Sequence, residues 1–273
     1  MEIGICSYSF HRLLAAGKQD IFRFIVDCKE LGCSQLDPWN AHLELIKQGD
    51  ATARPGASEH LSKAEERYLT KVKDAADAVE MPFGLIAVDG AHVYEGEPQK
   101  RNENRARAYR WLDVARHLGA RQIRIDSGGP EVMTSEIFKV IEEGYQDLIE
   151  RATRYNIEVV VENHLGPTLL PENILTLVQS IDGLGLLLDT QNWKPGKKAE
   201  GLRDCAKYAT AVHVKTLKWD DQGNEIMTNP PAAIRSLQDA GYSGCWGIES
   251  CPEDGDEYGA ARRSVALLRK LVH

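Results

Sequence analysis

The stretch "EVVVENHLGP" at residues 158–167 ends an apolar run on polar residues. Its three consecutive valines favour a fully buried strand, and the polar residues Glu162, Asn163 and His164 follow them at once. Polar residues at the end of an apolar strand either meet water or belong to a site. The pattern in the rest of the chain decides between these two interpretations.

Similar apolar runs recur along the whole chain and alternate with segments of helical spacing. Strands are predicted at residues 2–8, 34–39, 83–89, 121–126, 158–163, 185–190, 211–216 and 245–250. Helices are predicted at residues 20–32, 65–81, 135–155, 171–181, 201–209, 230–241 and 260–273. Eight strands that alternate with helical segments in 273 residues predict a (β/α)8 TIM barrel.

The barrel is predicted to form a single domain over residues 1–273, because no low-complexity linker divides the chain. The alternative is an open, doubly wound sheet. It is disfavoured because the glycine-rich dinucleotide-binding and P-loop patterns are both absent. The stretch "GDATARPGAS" at residues 49–58 is predicted to be a loop before the second long helix.

Composition and charge indicate a soluble protein with a small-molecule partner. The net charge of −8 disfavours binding to nucleic acid or to an anionic membrane surface. No apolar run approaches the roughly 20 residues that span a bilayer. The first residues lack the basic start of a signal peptide, and the six cysteines are scattered. We therefore expect a cytoplasmic protein with reduced thiols.

Acidic residues end most of the predicted strands. In a TIM barrel the active site lies at the C-terminal ends of the strands. These ends carry Asp37, Asp89, Asp126, Glu162, Asp189, His213 with Lys215, and Glu249. Strands five to eight therefore offer Glu, Asp, His and Glu at adjacent positions of one rim. Because side chains alternate along a strand, Glu162 shares a face with Val160, and Asp189 with Leu187.

Three carboxylates and an imidazole on one rim predict a metal site. Without a counter-charge the carboxylates would repel one another, and a divalent cation removes that penalty. Three oxygen donors and one nitrogen favour Mn²⁺ first, with Mg²⁺ and Co²⁺ as close alternatives and Zn²⁺ less favoured. The two glutamates, Glu162 and Glu249, suit proton removal next to a carbonyl.

The motifs "VVVENH", "LLLDTQN", "VHVKT" and "GCWGIESCPEDGDEYGAARRSVALLRKL" resemble the sugar phosphate isomerase/epimerase family of xylose isomerase-like barrels. The resemblance extends over essentially the whole chain. It implies that Glu162, Asp189, His213 and Glu249 bind one divalent metal ion. It also implies that Glu162 and Glu249 act as the acid/base pair, one on each face of a carbohydrate substrate, and that the protein forms a homo-oligomer.

One departure from the family pattern leaves the reaction open. Ketose 3-epimerases of this superfamily carry a histidine where this chain has Asn192, which can donate to a sugar hydroxyl but cannot carry a proton. The "ENH" sequence at residues 162–164 resembles instead a branch with hydroxypyruvate isomerase-like proteins and enzymes of 3-keto-glycosides. The predicted function is a carbohydrate isomerase or epimerase working through an enediolate or enolate. The alternative is a 3-keto-glycoside lyase that eliminates the aglycone.

Five further residues are candidates for substrate binding. His164 is expected either to donate to a sugar hydroxyl or to bond a loop carbonyl. Lys215 is expected either to stabilise an enolate oxygen or to pair with a rim aspartate such as Asp189. Tyr8 and Trp39 are expected to form an aromatic wall or to pack a loop, and His92 is a loop histidine after the third strand.

Two other function classes are disfavoured. An apurinic-site endonuclease of the same superfamily uses three metals and needs a basic face for DNA, whereas this chain is acidic. A catalytically silent sugar-binding barrel would have lost the glutamate pair, and both glutamates are present. The acidic segment "CPEDGDE" at residues 251–257 argues against a phosphorylated substrate.

Overall fold

In the part of the chain that the structure describes, seven parallel strands curl into a barrel that is surrounded by helices. The computed structural model describes residues 1–52 and 59–272. The strands are β1 (Ile3–Ile5), β2 (Leu85–Val88), β3 (Gln122–Ile125), β4 (Glu158–Glu162), β5 (Gly185–Asp189), β6 (Ala209–Thr216) and β7 (Trp246–Ser250). They pair in the order β1-β7-β6-β5-β4-β3-β2. This single-domain TIM-barrel-like fold confirms the predicted fold class.

Residues 34–39 fill the place of the missing eighth strand. They were predicted to form a regular strand, but among the described residues they make only isolated parallel bridges, which join Cys6 to Asp37, Leu36 to Phe83 and Trp39 to Ala87. Pro38 has no N–H to donate, which interrupts a regular ladder at this point. The segment nevertheless closes the ring between β1 and β2.

Helices follow the strands and cover the outside of the barrel. They are α1 (His11–Ala15), α2 (Ile21–Leu31), α3 (Glu44–Gly49), α4 (Lys63–Ala78), α5 (Pro98–Leu118), α6 (Ser135–Thr153), α7 (Pro171–Ser180), α8 (Lys198–Cys205), α9 (Pro230–Asp239) and α10 (Glu257–Leu271). The predicted boundaries of α2 are confirmed, because Asp20 caps its first turn and Gly32 ends it with a φ of 78°. No described helix has the length and apolar character that crossing a membrane requires.

Two parts of the helical layer differ from the sequence prediction. The apolar spacing does not predict α5, because this helix is rich in charged residues and buries polar ones, including Arg110 and Asp113. The loop predicted at residues 49–58 falls for the most part on residues 53–58, which lie outside the described residues. Its first residues continue α3 and then form a 3₁₀ turn, Asp50–Thr52.

The hydrophobic core has an outer part between strands and helices and a smaller part inside the barrel. The inner part consists of Cys6, Leu85, Ala87, Val160, Leu187 and Ala211, with Tyr8 and Trp39 packed against it. Val160, Leu187 and Ala211 precede Glu162, Asp189 and His213 by two positions. The alternation of side chains therefore directs these three polar side chains toward the barrel axis.

Candidate active site

Four strand ends meet at the C-terminal mouth of the barrel. Glu162 ends β4, Asp189 ends β5, and His213 and Glu249 lie on β6 and β7. Each residue offers one ligand atom, and these four atoms lie within 4.8 Å of one another. The exposed fraction of each residue is 2%, 0%, 2% and 8%, respectively. The structure thus brings together the four residues for which a metal site was predicted.

The imidazole of His213 lies between the two glutamates. Its Nδ1 is 3.0 Å from Oε2 of Glu249 and 3.6 Å from Oε1 of Glu162. Gly247 on the neighbouring strand β7 has no side chain and leaves room for the ring of His213. A Cβ atom at Gly247 would lie 2.3 Å from the carbonyl oxygen of Val212 and 3.3 Å from Cδ2 of His213.

The arrangement of polar atoms fits a divalent cation. Nδ1 of His213 and Oδ2 of Asp189 are buried, and their contacts with Glu249 at 3.0 Å and with Lys215 at 3.1 Å lack hydrogen-bond geometry among the described residues. Buried polar atoms are rarely left in this state in proteins, and a bound cation would satisfy both. The donor set of three carboxylates and one imidazole suits a hard or borderline metal ion.

A buried lysine partly neutralises the acidic cluster. Nζ of Lys215 lies 3.1 Å from Oδ2 of Asp189 and also forms an ion pair with Glu249. Burial alone would raise the pKa of Glu249, but Lys215 and His213 hold it well below its ordinary value. The pairing predicted between Lys215 and the rim aspartate Asp189 is thus present in the structure.

The pKa of Glu162 is also lowered, by a different cation. Burial would raise this pKa, and the guanidinium of Arg124, with Nε 3.1 Å from Oε2 of Glu162, outweighs the effect. For Asp189, by contrast, burial outweighs the neighbouring cation Lys215 and raises the pKa. Both glutamates of the site are therefore held in the ionised form, which is the form that accepts a proton.

Two asparagines fix the acidic residues in place. The side chain of Asn163 bridges β4 and β5, since its Nδ2 donates to the carbonyl of Asp189 at 2.9 Å and its Oδ1 accepts from the Asp189 N–H at 2.8 Å. The N–H of Asn192 donates to Oδ1 of Asp189 at 3.0 Å. The side-chain amide of Asn192 points to Oε1 of Glu162 at 3.4 Å.

A cavity of about 310 Å³ opens above the cluster. Its lining includes most of the residues that were predicted to bind substrate. The lining residues are Cys6, Tyr8, Trp39, Asp89, Arg124, Glu162, His164, Asn192, Lys215, Glu249 and Cys251. The rings of Tyr8 and Trp39 are nearly perpendicular with centroids 4.9 Å apart, and the indole Nε1 of Trp39 donates to Oδ2 of Asp89 at 2.7 Å. These two aromatic residues form one wall of the cavity.

The two loop histidines occupy different environments. His164 lies at the cavity with Nδ1 3.2 Å from Oδ2 of Asp126. Burial would lower its pKa, but Asp126 and Glu162 raise it to about 9, so the ring carries a charge near neutral pH. His92 lies apart, with Nε2 2.6 Å from Oε1 of Glu95, and is not among the residues that line the cavity.

Asp37 does not lie at the mouth, although the sequence predicted it at a strand end. The segment of residues 34–39 extends two residues beyond Asp37. Trp39 therefore reaches the mouth, and Asp37 lies deeper in the barrel. Asp37 lines a second, larger cavity of about 570 Å³ that opens at the opposite end. Its Oδ1 accepts hydrogen bonds from the Leu85 N–H and from the side chain of Gln35, and burial raises its pKa to about 6.

Three residues of the site were not predicted in their observed roles. Arg124 pairs with Asp126 at 3.0 Å and also contacts Glu162. Cys6 and Cys251 line the cavity. The sequence carried a signal for both cysteines, because Cys6 lies two residues before Tyr8 in a predicted strand, and Cys251 lies two residues after Glu249.

Solved structures with the same fold act on sugars or bind a metal. D-psicose 3-epimerase from Clostridium cellulolyticum H10, solved with D-tagatose, superposes with a TM-score of 0.72 at 14% identity, with both chains covered completely. 3-Keto-D-glucoside 4-epimerase from E. coli has a TM-score of 0.68 at 16% identity and covers 92% of this chain and 95% of its own. The IOLI protein, solved with a bound zinc atom, has a TM-score of 0.77 at 13% identity, with 99% of each chain covered. At these identities the similarity establishes the fold alone.

The sequence comparisons identify the family. Curated proteins gave no significant match to this sequence. A family model described as "Xylose isomerase-like TIM barrel" matches residues 18–271, which is nearly the whole chain. In agreement with the barrel and with the four polar strand ends at its mouth, this chain belongs to the xylose isomerase-like TIM barrel family.

Proposed function

We propose that this protein is a divalent-metal-dependent carbohydrate isomerase or epimerase. It moves a proton at the carbon next to a carbonyl, through an enediolate or enolate. The observation that carries the proposal is the pair of buried glutamates, Glu162 and Glu249, on either side of His213. Local cations lower the pKa of both carboxyl groups, so each is ready to accept a proton from carbon.

The metal would be held by Glu162, Asp189, His213 and Glu249. Mn²⁺ is the ion we favour, with Mg²⁺, Co²⁺ and Zn²⁺ as alternatives. When bound, such an ion supplies a Lewis acid that polarises the substrate carbonyl and the hydroxyl beside it.

The other residues of the cavity bind and orient the sugar. Tyr8 and Trp39 offer an apolar wall for one face of a sugar ring. Asn192 and the charged ring of His164 donate hydrogen bonds to hydroxyl groups. The ammonium of Lys215, buried between two carboxylates, stabilises negative charge that develops on the substrate oxygen.

The nature of residue 192 supports a second candidate, a 3-keto-glycoside lyase. The side chain of Asn192 lies 3.4 Å from Glu162 and cannot carry a proton, so proton delivery to the opposite face relies on Glu249 alone. In the lyase the first step is the same proton removal beside the ketone. The electron pair left on carbon then forms a C=C double bond as the C–O bond to the aglycone breaks, and the aglycone oxygen takes the electrons of that bond and a proton.

We further propose that the protein works in the cytoplasm as a homo-oligomer on a small carbohydrate, without nucleic acid or membrane partners. The net charge of −8 supports the exclusion of nucleic acid.

Proton NMR in D₂O tests the proposal directly. The Mg²⁺-loaded protein is incubated with a panel of free ketoses and 3-keto-glycosides, and the signals next to the carbonyl are followed. Loss of such a signal without aglycone release indicates an isomerase or epimerase, whereas aglycone release indicates a lyase. Glu162→Gln and Glu249→Gln should abolish both outcomes while the circular dichroism spectrum is unchanged.

A matched control is Glu253→Gln, which changes an exposed glutamate on the loop after β7. This variant should retain the wild-type exchange rate. Exchange at the wild-type rate in both Glu162→Gln and Glu249→Gln would refute the assignment of the acid/base pair.

A further inference from the structure

A second cluster of potential metal ligands adjoins the first. Asp126, Glu162 and His164 each offer a ligand atom, and these atoms lie within 4.8 Å of one another. Glu162 belongs to both clusters. Two ligand sets that share a carboxylate are the arrangement found in two-metal sites, so the mouth of this barrel has residues for a second cation.

Arg124 lies in the middle of this second cluster. Its Nη1 donates to Oδ2 of Asp126 at 3.0 Å and to Oδ1 of Asp89 at 2.8 Å. Its Nε lies 3.1 Å from Oε2 of Glu162 and makes no hydrogen bond of good geometry among the described residues. The residue is 5% exposed, so its charge is almost completely removed from water.

The two carboxylate oxygens of Glu162 face different cations. Oε1 lies on the side of His213 and Asn192, at 3.6 Å and 3.4 Å. Oε2 lies on the side of Arg124. One oxygen is thus available to the four-residue cluster, while the other is already paired with the guanidinium.

A metal ion in the second cluster would have to share this space with a fixed positive charge. Two cations a few ångströms apart in a buried site repel strongly, and Arg124 cannot lose its proton. The guanidinium contacts Oδ2 of Asp126 and Oε2 of Glu162, whereas in the four-residue cluster Lys215 contacts Oε1 of Glu249 and leaves its Oε2 on the side of His213. The second cluster therefore already has its counter-charge.

We propose that the guanidinium of Arg124 takes the place of a second metal ion, so that the barrel mouth binds one divalent cation only. The inference rests on the proposed function, and it deepens it. A single-metal site with one oxygen of Glu162 held by Arg124 suits proton transfer on a keto-sugar. It does not suit the kind of phosphodiester cleavage in which two or more metals surround the reacting phosphate. Arg124 acts as a positioning residue for Glu162.

Metal stoichiometry tests this proposal. Wild-type protein and Arg124→Gln are saturated with Mn²⁺, and bound metal is counted by mass spectrometry after removal of free ion. We expect one Mn²⁺ per chain in the wild type and two in Arg124→Gln, with the electron paramagnetic resonance spectrum changing from that of an isolated ion to that of a spin-coupled pair. The added change His164→Asn in Arg124→Gln should return the count to one.

The control is Arg121→Gln, because Arg121 precedes the same strand at the opposite end of the barrel and is exposed. It should bind one Mn²⁺. A count of one in folded Arg124→Gln, or a count of two in the wild type, would overturn the proposal. A wild-type count of zero would instead refute the proposed metal-dependent function.

A stability measurement covers the case in which Arg124→Gln folds poorly without metal. Loss of the guanidinium leaves Asp89, Asp126 and Glu162 without their cation, so the metal-free variant should melt at a lower temperature than the wild type. Mn²⁺ should then raise its melting temperature by more than it raises that of the wild type. An equal or smaller increase would count against a second binding position.

Discussion

Asp37 offers a quantitative test of the electrostatics inside the barrel. It is 3% exposed, and burial raises its pKa from 3.8 to about 6, although the Leu85 N–H and Gln35 donate to it. A rise of about two pH units at about 1.36 kcal/mol each corresponds to about 3 kcal/mol. Because the folded pKa is raised, folding gains stability from this group below pH 4 and loses it as the pH rises through about 6.

Asp37→Asn should remove this loss, because an amide stays neutral and its oxygen can still accept both hydrogen bonds. We expect the free energy of unfolding of the variant, relative to wild type, to increase by about 3 kcal/mol between pH 4 and pH 8. The measurement is urea denaturation across that range, with the exposed Asp221→Asn as control. A difference between Asp37→Asn and wild type that stays constant with pH would refute the reasoning.

Three further predictions concern the mouth of the barrel. Chelation of the metal should lower the melting temperature by several degrees, and added Mn²⁺ should restore it, as measured by calorimetry. Asp189→Asn should show no such response. An equal response in Asp189→Asn would contradict the ligand assignment. Gly247→Ala should destabilise the fold by about 1–3 kcal/mol in urea denaturation, because the new Cβ would lie 2.3 Å from the Val212 carbonyl oxygen, whereas Gly96→Ala has open space and should be neutral. Asn192→Ala should raise KM more than it lowers kcat in initial-rate assays, since the amide is assigned to substrate binding; a loss confined to kcat would argue for a role in chemistry.

The polar strand ends were predictable because they interrupt apolar runs. Glu162 follows three valines, and Asp189 follows three leucines. Each polar residue therefore shows where its strand ends and which residues of the strand share its face. The period of two residues in a strand then places both side chains above the inner core. The family resemblance pointed to the same residues.

Contacts that depend on how far neighbouring strands are shifted along the barrel axis were not predictable from local sequence patterns. Asp37 appeared to end a strand, but residues 34–39 extend to Trp39, and the position of this segment depends on bridges to both β1 and β2. In the same way, the contact of Arg124 with Glu162 requires the relative height of β3 and β4. Sequence alternation gives the face of a side chain and not its depth in the barrel.

Helix α5 shows a second limit of sequence patterns. Its surface carries many charged residues, and part of its buried side is polar, with Trp111 donating to the carboxylate of Asp50 and Arg110 forming an ion pair with Glu65. A helix that buries ion pairs lacks the apolar stripe by which amphipathic helices are recognised. Only the tertiary partners reveal why these polar residues are inside.

The most direct measurement is anomalous X-ray diffraction from crystals of the Mn²⁺-loaded protein. We expect one anomalous peak at the mouth of the barrel, within bonding distance of Glu162, Asp189, His213 and Glu249. A peak at other residues, or no peak at this position in fully Mn²⁺-loaded crystals, would contradict the assignment of these four strand ends as a metal site.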